Sequence, residues 1–148
     1  MPQSHPVIAV AADHAGFELK DRIADMLRAA GHEVIDLGTN SAVRVDYPDY
    51  GYRLAETIAA GKATRGIAIC GSGIGISIAL NRNPAVRAAL CGDILSARLA
   101  RQHNDANVLV MGSRLIGPDV AFECVGVFLS TLFEGGRHLP RVEKLGKC

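Results

Sequence analysis

At 148 residues, 49% of them hydrophobic, and with a formal net charge of +1 spread over interleaved acidic and basic side chains, the chain excludes two classes of function. It has no basic stripe to follow a phosphate backbone, so no nucleic acid partner is expected, and no apolar run near the roughly 20 residues of a membrane span. A chain of this size buries roughly two thirds of its extended surface, which predicts one globular domain over residues 1–148.

Met1 to Pro6 is polar and leads into a short apolar run without the charged flank or the length of a signal peptide, so a cytoplasmic location is expected. Cys70, Cys91, Cys124 and Cys148 are scattered with no C-x-x-C pair, which fits reduced thiols better than a disulfide framework or a zinc site.

In chain order, Val7–Ala12, Glu33–Asp36, Arg65–Cys70, Ala88–Cys91 and Val108–Met111 read as strands, each followed by a longer segment. Several are apolar on consecutive residues, as strands covered on both faces must be. Phe17, Leu19, Ile23, Met26 and Leu27 recur at helical spacing before Gly31, and Leu54, Ile58 and Ala59 repeat the pattern before Gly61. Ile94, Ala97, Arg98 and Ala100 suggest a further helix, and Pro118 opens another carrying Val120, Cys124, Val127 and Phe128. Gly38 to Asp49 reads as a long polar loop, and Glu134 to Arg141, with its glycines and charges, as a surface tail or an arm toward a neighbour. The alternation predicts an α/β fold, a three-layer αβα sandwich on a five-stranded parallel sheet.

In such sheets ligands bind beyond the carboxyl ends of the strands. All five predicted ends are polar or glycine-rich: Asp13-His14-Ala15-Gly16, Asp36-Leu37-Gly38-Thr39, Cys70-Gly71-Ser72-Gly73-Ile74-Gly75, Gly92-Asp93 and Gly112-Ser113-Arg114. The third is the most informative, because alternate glycines let the backbone turn tightly and present successive N–H groups to an anion. A dinucleotide fingerprint belongs after the first strand and wants a glycine where Ile76 stands; a cysteine phosphatase wants an arginine at that same position.

Cys70, read alone, is a small buried hydrophobe. Beside a helix start and the glycine loop it reads instead as a base, because those N–H groups favour thiolate and stabilise an oxyanion formed next to it. That pairing is what proton abstraction α to a carbonyl needs. His14, read alone, is as well explained as a satisfied loop histidine; Asp13 beside it favours a polar site for sugar hydroxyls or phosphate. Arg114, Arg137 and Arg141 are singly ordinary surface charges, yet Arg137 and Arg141, four apart beside His138, resemble a phosphate clamp.

His103-Asn104 is topologically odd. A helix that leaves the carboxyl edge and climbs about 1.5 Å per residue ends near the opposite edge, away from its own site. His103 is therefore either a helix-end histidine or a contribution to the site of a second chain.

Together, Asp13-His14-Ala15-Gly16, Asp46-Tyr47-Pro48, Cys70 through Ser77, Arg101 through Val108 and Glu134-Gly135-Gly136-Arg137-His138 resemble the type B ribose-5-phosphate isomerases and the related galactose-6-phosphate isomerases. The resemblance runs from Val7 to about Val142. It implies a Rossmann-like domain, a homodimer or tetramer with sites shared between subunits, and isomerisation of a ring-opened sugar phosphate through a cis-enediolate without metal or organic cofactor.

By motif, the resemblance makes Cys70 the base, with Ser72 and the loop of Gly71, Gly73, Ile74 and Gly75 stabilising the enediolate, and His103 assisting ring opening. It gives Asp13, Tyr47 and Asn104 to sugar oxygens and His14, Arg114, Arg137 and Arg141 to the phosphate. Some relatives carry a carboxylate base within the glycine loop; Gly75 here leaves Cys70 as the candidate. Ser72 stands where threonine is common, and the chain stops at Cys148 where many relatives continue the terminal helix. Rival readings are the same chemistry on allose 6-phosphate, galactose 6-phosphate or a four-carbon ketose phosphate, and a nucleotide-binding regulatory module that has no need of Cys70 or His103.

Overall fold

Strands that must be apolar on both faces need helices on both, and the alternation within each strand decides which residues meet which layer. The structure, a computed structural model, describes residues 5–147, so Cys148 and the first four residues of the polar N-terminal segment lie outside the described residues. Its strands are β1 (Ile8–Ala12), β2 (Val34–Asp36), β3 (Arg65–Cys70), β4 (Ala88–Leu90) and β5 (Val108–Gly112), all parallel in the order β2-β1-β3-β5-β4. The helices are α1 (Phe17–Ala29), α2 (Tyr47–Ala59), α3 (Ile74–Leu80), α4 (Ile94–Asn104), α5 (Pro118–Ser130) and α6 (Leu139–Leu145).

Ile8, Val10 and Ala12 of β1 pack into one core with Leu19, Ile23 and Leu27 of α1, Ala97 of α4 and Cys124 and Phe128 of α5. Ala9 and Ala11, the alternate residues, enter a second core with Leu54 and Ala55 of α2 and Ile76 and Leu80 of α3. Two cores flank one sheet, giving the expected three layers. The small residues of β1 let α2 lie close on the second face, and every residue of β1 and β5 is buried.

Two expectations need correcting. The loop ahead of α2 ends at Asp46 rather than Asp49, because Pro48 and Asp49 belong to the first turn of the helix. A proline there has no N–H to lose, since the first-turn donors lack intrahelical acceptors, and Asp49 complements the positive end of the helix. The tail is also more ordered than its composition suggests: a 3₁₀ turn at Gly136–His138 leads directly into α6, and His138 is buried.

Two buried cations tie elements together. Lys20 of α1, 1% exposed, is 2.8 Å from both carboxylate oxygens of Asp36 at the end of β2 and 2.7 Å from Asp21. Arg101, near the end of α4, donates to Asp105 (2.8 Å), to the Ala106 carbonyl and to the Thr131 carbonyl beyond α5. That last set draws the chain after α5 against the end of α4, and the Glu134 N–H donates to the Gln102 carbonyl at 3.0 Å.

Candidate active site

The connection after β1 runs to β2 on one side and the connection after β3 runs toward β4 on the other, so the chain diverges between the carboxyl ends of β1 and β3. A crevice forms where loops part in this way. Here it is a cavity of about 530 Å³, lined by Asp13, His14, Tyr47, Cys70, Gly71, Ser72, Ile74, Gly75 and Arg114, with Ala15, Ile78 and Leu115 completing the wall.

Cys70, the last residue of β3, sits in the second core at 4% exposure yet lines this cavity. The Gly73 N–H donates to its Sγ at 3.2 Å. That contact requires the chain to double back within three residues, and Gly73 does so at φ 78, a left-handed conformation that suits glycine. Ser72 Oγ accepts from the Ile74 N–H at 3.2 Å, which fixes the hydroxyl beside the loop. From below, the loop is held by the start of the β5–α5 connection, with Ser113 N–H donating to the Cys70 carbonyl and Arg114 N–H to the Gly71 carbonyl, at 2.9 and 3.0 Å.

Gly112 makes this close approach possible. A Cβ at that position would lie 2.5 Å from the Ser72 backbone, so a side chain there displaces the loop. Gly16 has the same kind of constraint against the Ile69 carbonyl, at 2.6 Å. Neither glycine was singled out from the sequence as a site residue, although both belong to the strand-end segments read there, Asp13-His14-Ala15-Gly16 and Gly112-Ser113-Arg114. Ser113 Oγ donates to the Ala15 carbonyl at 2.8 Å and ties the segment after β5 to the segment after β1.

On the β1 side, Asp13 is buried and its Oδ1 accepts from the Ala15 and Gly16 N–H groups at 3.0 and 3.2 Å. The carboxylate thus shapes the start of α1 as well as facing the cavity. His14 Nδ1 accepts from the Val45 N–H at 3.2 Å, which ties the loop before α2 to the site. Tyr47, the first residue of α2, is 42% exposed and closes the wall opposite Gly75.

The remaining predicted residues are elsewhere. His103, Asn104 and Arg141 line a second cavity of about 340 Å³ with His138, Val142 and Leu145, and this cavity has no lining residue in common with the first. Arg137 lies in the 3₁₀ turn beside it and is exposed. His103 stacks on His138, with ring centroids 4.4 Å apart and planes 15° from parallel. Glu134 reaches both rings, 3.8 Å from His103 Nε2 and 3.6 Å from His138 Nε2. Burial holds the pKa of His138 below the usual histidine value, Arg137 and His103 act in the same direction, and Glu134 opposes them.

The ligating atoms of His103, Glu134 and His138 lie within 4.8 Å of one another, a spacing that invites a metal reading. The stacking argues against it. An imidazole nitrogen binds a cation along its lone pair, in the plane of the ring, and two nearly parallel stacked rings have no common in-plane point for one ion.

Burial raises the pKa of Cys91, and that of Cys124 to about 11, so these thiols are inert core residues. Among the described residues no helix is long and apolar enough to cross a membrane.

The sequence pattern of the Ribose/Galactose Isomerase family matches residues 8–145. Ribose-5-phosphate isomerase B of Escherichia coli is 49% identical over 138 residues, covering 93% of each chain. D-erythrulose-4-phosphate isomerase of Pectobacterium atrosepticum is 44% identical over 140 residues, covering 94% of this chain and 92% of that one. The crystal structure of a ribose 5-phosphate isomerase from Thermotoga maritima superposes with a TM-score of 0.95 at 50% identity, covering 97% of this chain and 99% of that one.

Proposed function

The chain belongs to the ribose/galactose isomerase family, and on that premise we propose that it interconverts ribose 5-phosphate and ribulose 5-phosphate. Cys70 is the base. Its thiolate takes the proton from C2 of the open-chain aldose, and the electron pair moves into the C1–C2 bond as negative charge develops on O1. The thiol then returns that proton to C1 while the O2 proton passes to O1, leaving the carbonyl at C2. One proton has moved between carbons and one between oxygens, with no net redox change.

The observation that carries this reading is that Cys70 lines the cavity with its Sγ accepting from the Gly73 N–H, in the same wall as Ser72, whose hydroxyl accepts from the Ile74 N–H. A carbon-acid base is useful only next to donors for the oxyanion it creates, and a loop held by backbone contacts needs no reorganisation as charge develops. Gly71, Ile74 and Gly75 complete that loop, Asp13 and Tyr47 hold sugar oxygens, and His14 and Arg114 face the phosphate, whose fixed charge orients the reacting end.

The second cavity supplies the rest from a neighbouring chain. We place His103, as the acid–base for furanose opening, with Asn104, Arg137 and Arg141 in the Cys70 cavity of a homodimer partner. Three features support this. The two sets of residues line separate cavities within one chain; exposed Ile74, Ile78 and Leu115 border the first, an apolar rim suited to being covered; and the tail that carries the arginines is docked at the His103 end of α4. The cytoplasmic location follows from the substrate class, and the whole chain works as one isomerase domain.

The test is the initial rate of ribulose 5-phosphate formation from ribose 5-phosphate in chelator, for the parent and for Cys70→Ala. Parent turnover with loss of about 1000-fold or more in Cys70→Ala, and substrate binding retained, is expected. Full turnover in Cys70→Ala assigns the base elsewhere. The erythrulose 4-phosphate isomerase among the relatives gives a second substrate, D-erythrulose 4-phosphate, specific footing; higher kcat/KM on it than on ribose 5-phosphate reverses the substrate assignment.

A further inference from the structure

The geometry points to His138 as a positioning residue that holds the His103 imidazole in the orientation from which it serves ring opening, an inference that rests on the isomerase reading above. His103 stands in the last turn of α4 with 37% of its side chain exposed, where an imidazole is otherwise free to turn about two torsions. One face of it is covered by His138, at 4.4 Å between centroids and 15° between planes. Glu134, 3.8 Å from His103 Nε2, lies at its edge. A planar neighbour restricts tilt, and a carboxylate at the edge selects which nitrogen points toward it.

His138 is itself fixed. It is 6% exposed, it ends the 3₁₀ turn, and its backbone N–H donates to the Gly135 carbonyl at 3.0 Å. Its Nε2 is buried and has no hydrogen-bond partner among the described residues. A histidine retained for the fold alone ties such an atom to a carbonyl or hydroxyl, because a buried unpaired nitrogen is unfavourable. Here the nitrogen lies 3.6 Å from Glu134 Oε1, on the same carboxylate that flanks His103. The pair is therefore built around His103 rather than around the packing of the tail. Arg137 and Arg141 face the same group, and burial with these cations keeps His138 neutral, so that it adds no repulsive charge beside His103.

Ring opening can be separated from proton transfer in the reverse direction. Ribulose 5-phosphate has its carbonyl at C2 and its O5 esterified, so it forms no furanose, and exchange of its C1 hydrogen with solvent requires the bound substrate and Cys70 but no ring-opening step by His103. The experiment compares the parent with His138→Ala, His138→Phe and His138→Leu in D2O. It measures deuterium entry at C1 of ribulose 5-phosphate and, separately, kcat and KM for interconversion with ribose 5-phosphate.

In His138→Ala we expect interconversion kcat to fall about 100-fold at nearly constant KM, with C1 exchange within about threefold of the parent. His138→Phe, which keeps a stackable ring, recovers interconversion to within about tenfold of the parent, and His138→Leu, apolar but not planar, does not. Equal loss of exchange and interconversion, or equal interconversion in the Phe and Leu variants, overturns the inference; the Phe and Leu pair decides it if His138→Ala does not fold. A parent protein that performs neither reaction overturns the isomerase reading itself, an outcome distinct from any of these.

Discussion

The ring of Tyr47 occupies the space into which any side chain at position 75 would grow: a Cβ on Gly75 would lie 2.5 Å from two of its ring atoms. Tyr47 is 42% exposed and free to swing away, so Gly75→Ala is relieved by moving a side chain and leaves the backbone in place. Stability within about 1 kcal/mol of the parent is expected, with kcat/KM reduced about tenfold or more because the cavity wall has moved. Urea denaturation and initial rates check the two halves; a parallel loss of stability and rate would show that the loop, not the ring, had given way.

Gly112→Ala is predicted to behave differently. The atoms its Cβ would meet belong to the Ser72 backbone at 2.5 Å, and that backbone carries the site. A loss of about 2 kcal/mol or more, accompanied by loss of turnover, is expected from denaturation and rate measurements on the same sample.

The thiols give a third check, best made in a Cys148→Ser background so that the readout is confined to Cys70, Cys91 and Cys124. An uncharged alkylating reagent near neutral pH is expected to label Cys70, which lines a cavity and accepts from the Gly73 N–H, while Cys91 and Cys124 stay unmodified. Burial has raised both of the latter, Cys124 to about 11. Peptide mass spectrometry reads the sites, and saturating ribose 5-phosphate should protect Cys70. Labelling of Cys124 at a comparable rate contradicts its assignment to the core.

A fourth concerns acid. The folded pKa of His138 is depressed below 6.5, so the unfolded chain binds that proton more readily than the folded one. The contribution of His138 to the docked tail is thus fully present above about pH 6.5 and is lost as pH falls through its lower folded value. Amide protection factors, which divide out the slower intrinsic exchange at low pH, should fall from pH 7 to pH 5 more across residues 134–145 than across β1, and His138→Phe should reduce that difference. Identical pH response in the two proteins would assign the acid sensitivity elsewhere.

Lys20→Met tests the buried ion pair. Met fills the space of the aliphatic stem but leaves Asp36 without the ammonium 2.8 Å from each of its oxygens. Because Asp36 retains some water contact, a cost of about 2–3 kcal/mol is expected in urea denaturation, below the range for a fully buried partner.

How far the sequence alone carried these conclusions depends on the range of the interaction involved. Strand positions were legible to within a residue because double-sided burial leaves consecutive apolar residues, as in Ile67, Ala68 and Ile69. The Cys70 loop was legible because its glycines are adjacent in the chain. The start of α2 was misread because Pro48 and Asp49 signal both loops and first helical turns, and only the packing of Leu54 and Ala55 on β1 and β3 decides between them. Lys20 lies in a helix whose pattern gives no warning of a buried cation; its partner Asp36 is sixteen residues away. The burial of His138 depends on His103, thirty-five positions earlier, and no local pattern encodes that meeting. The same is true of the strand order, in which β5 separates β3 from β4.

That strand order has a consequence for synthesis. The chain emerges from the ribosome with β4 before β5, yet among the described residues β4 pairs with β5 alone, and β5 alone covers one edge of β3. Until residues 108–112 have been made, the nascent sheet ends at β3 with its apolar edge open, and the Cys70 loop lacks the Gly112 backbone beneath it. The growing polypeptide is therefore most vulnerable to edge-to-edge association while Ala88 to Asn107 is being added, and truncation anywhere in that interval yields a chain with its reactive thiol present and its cradle missing.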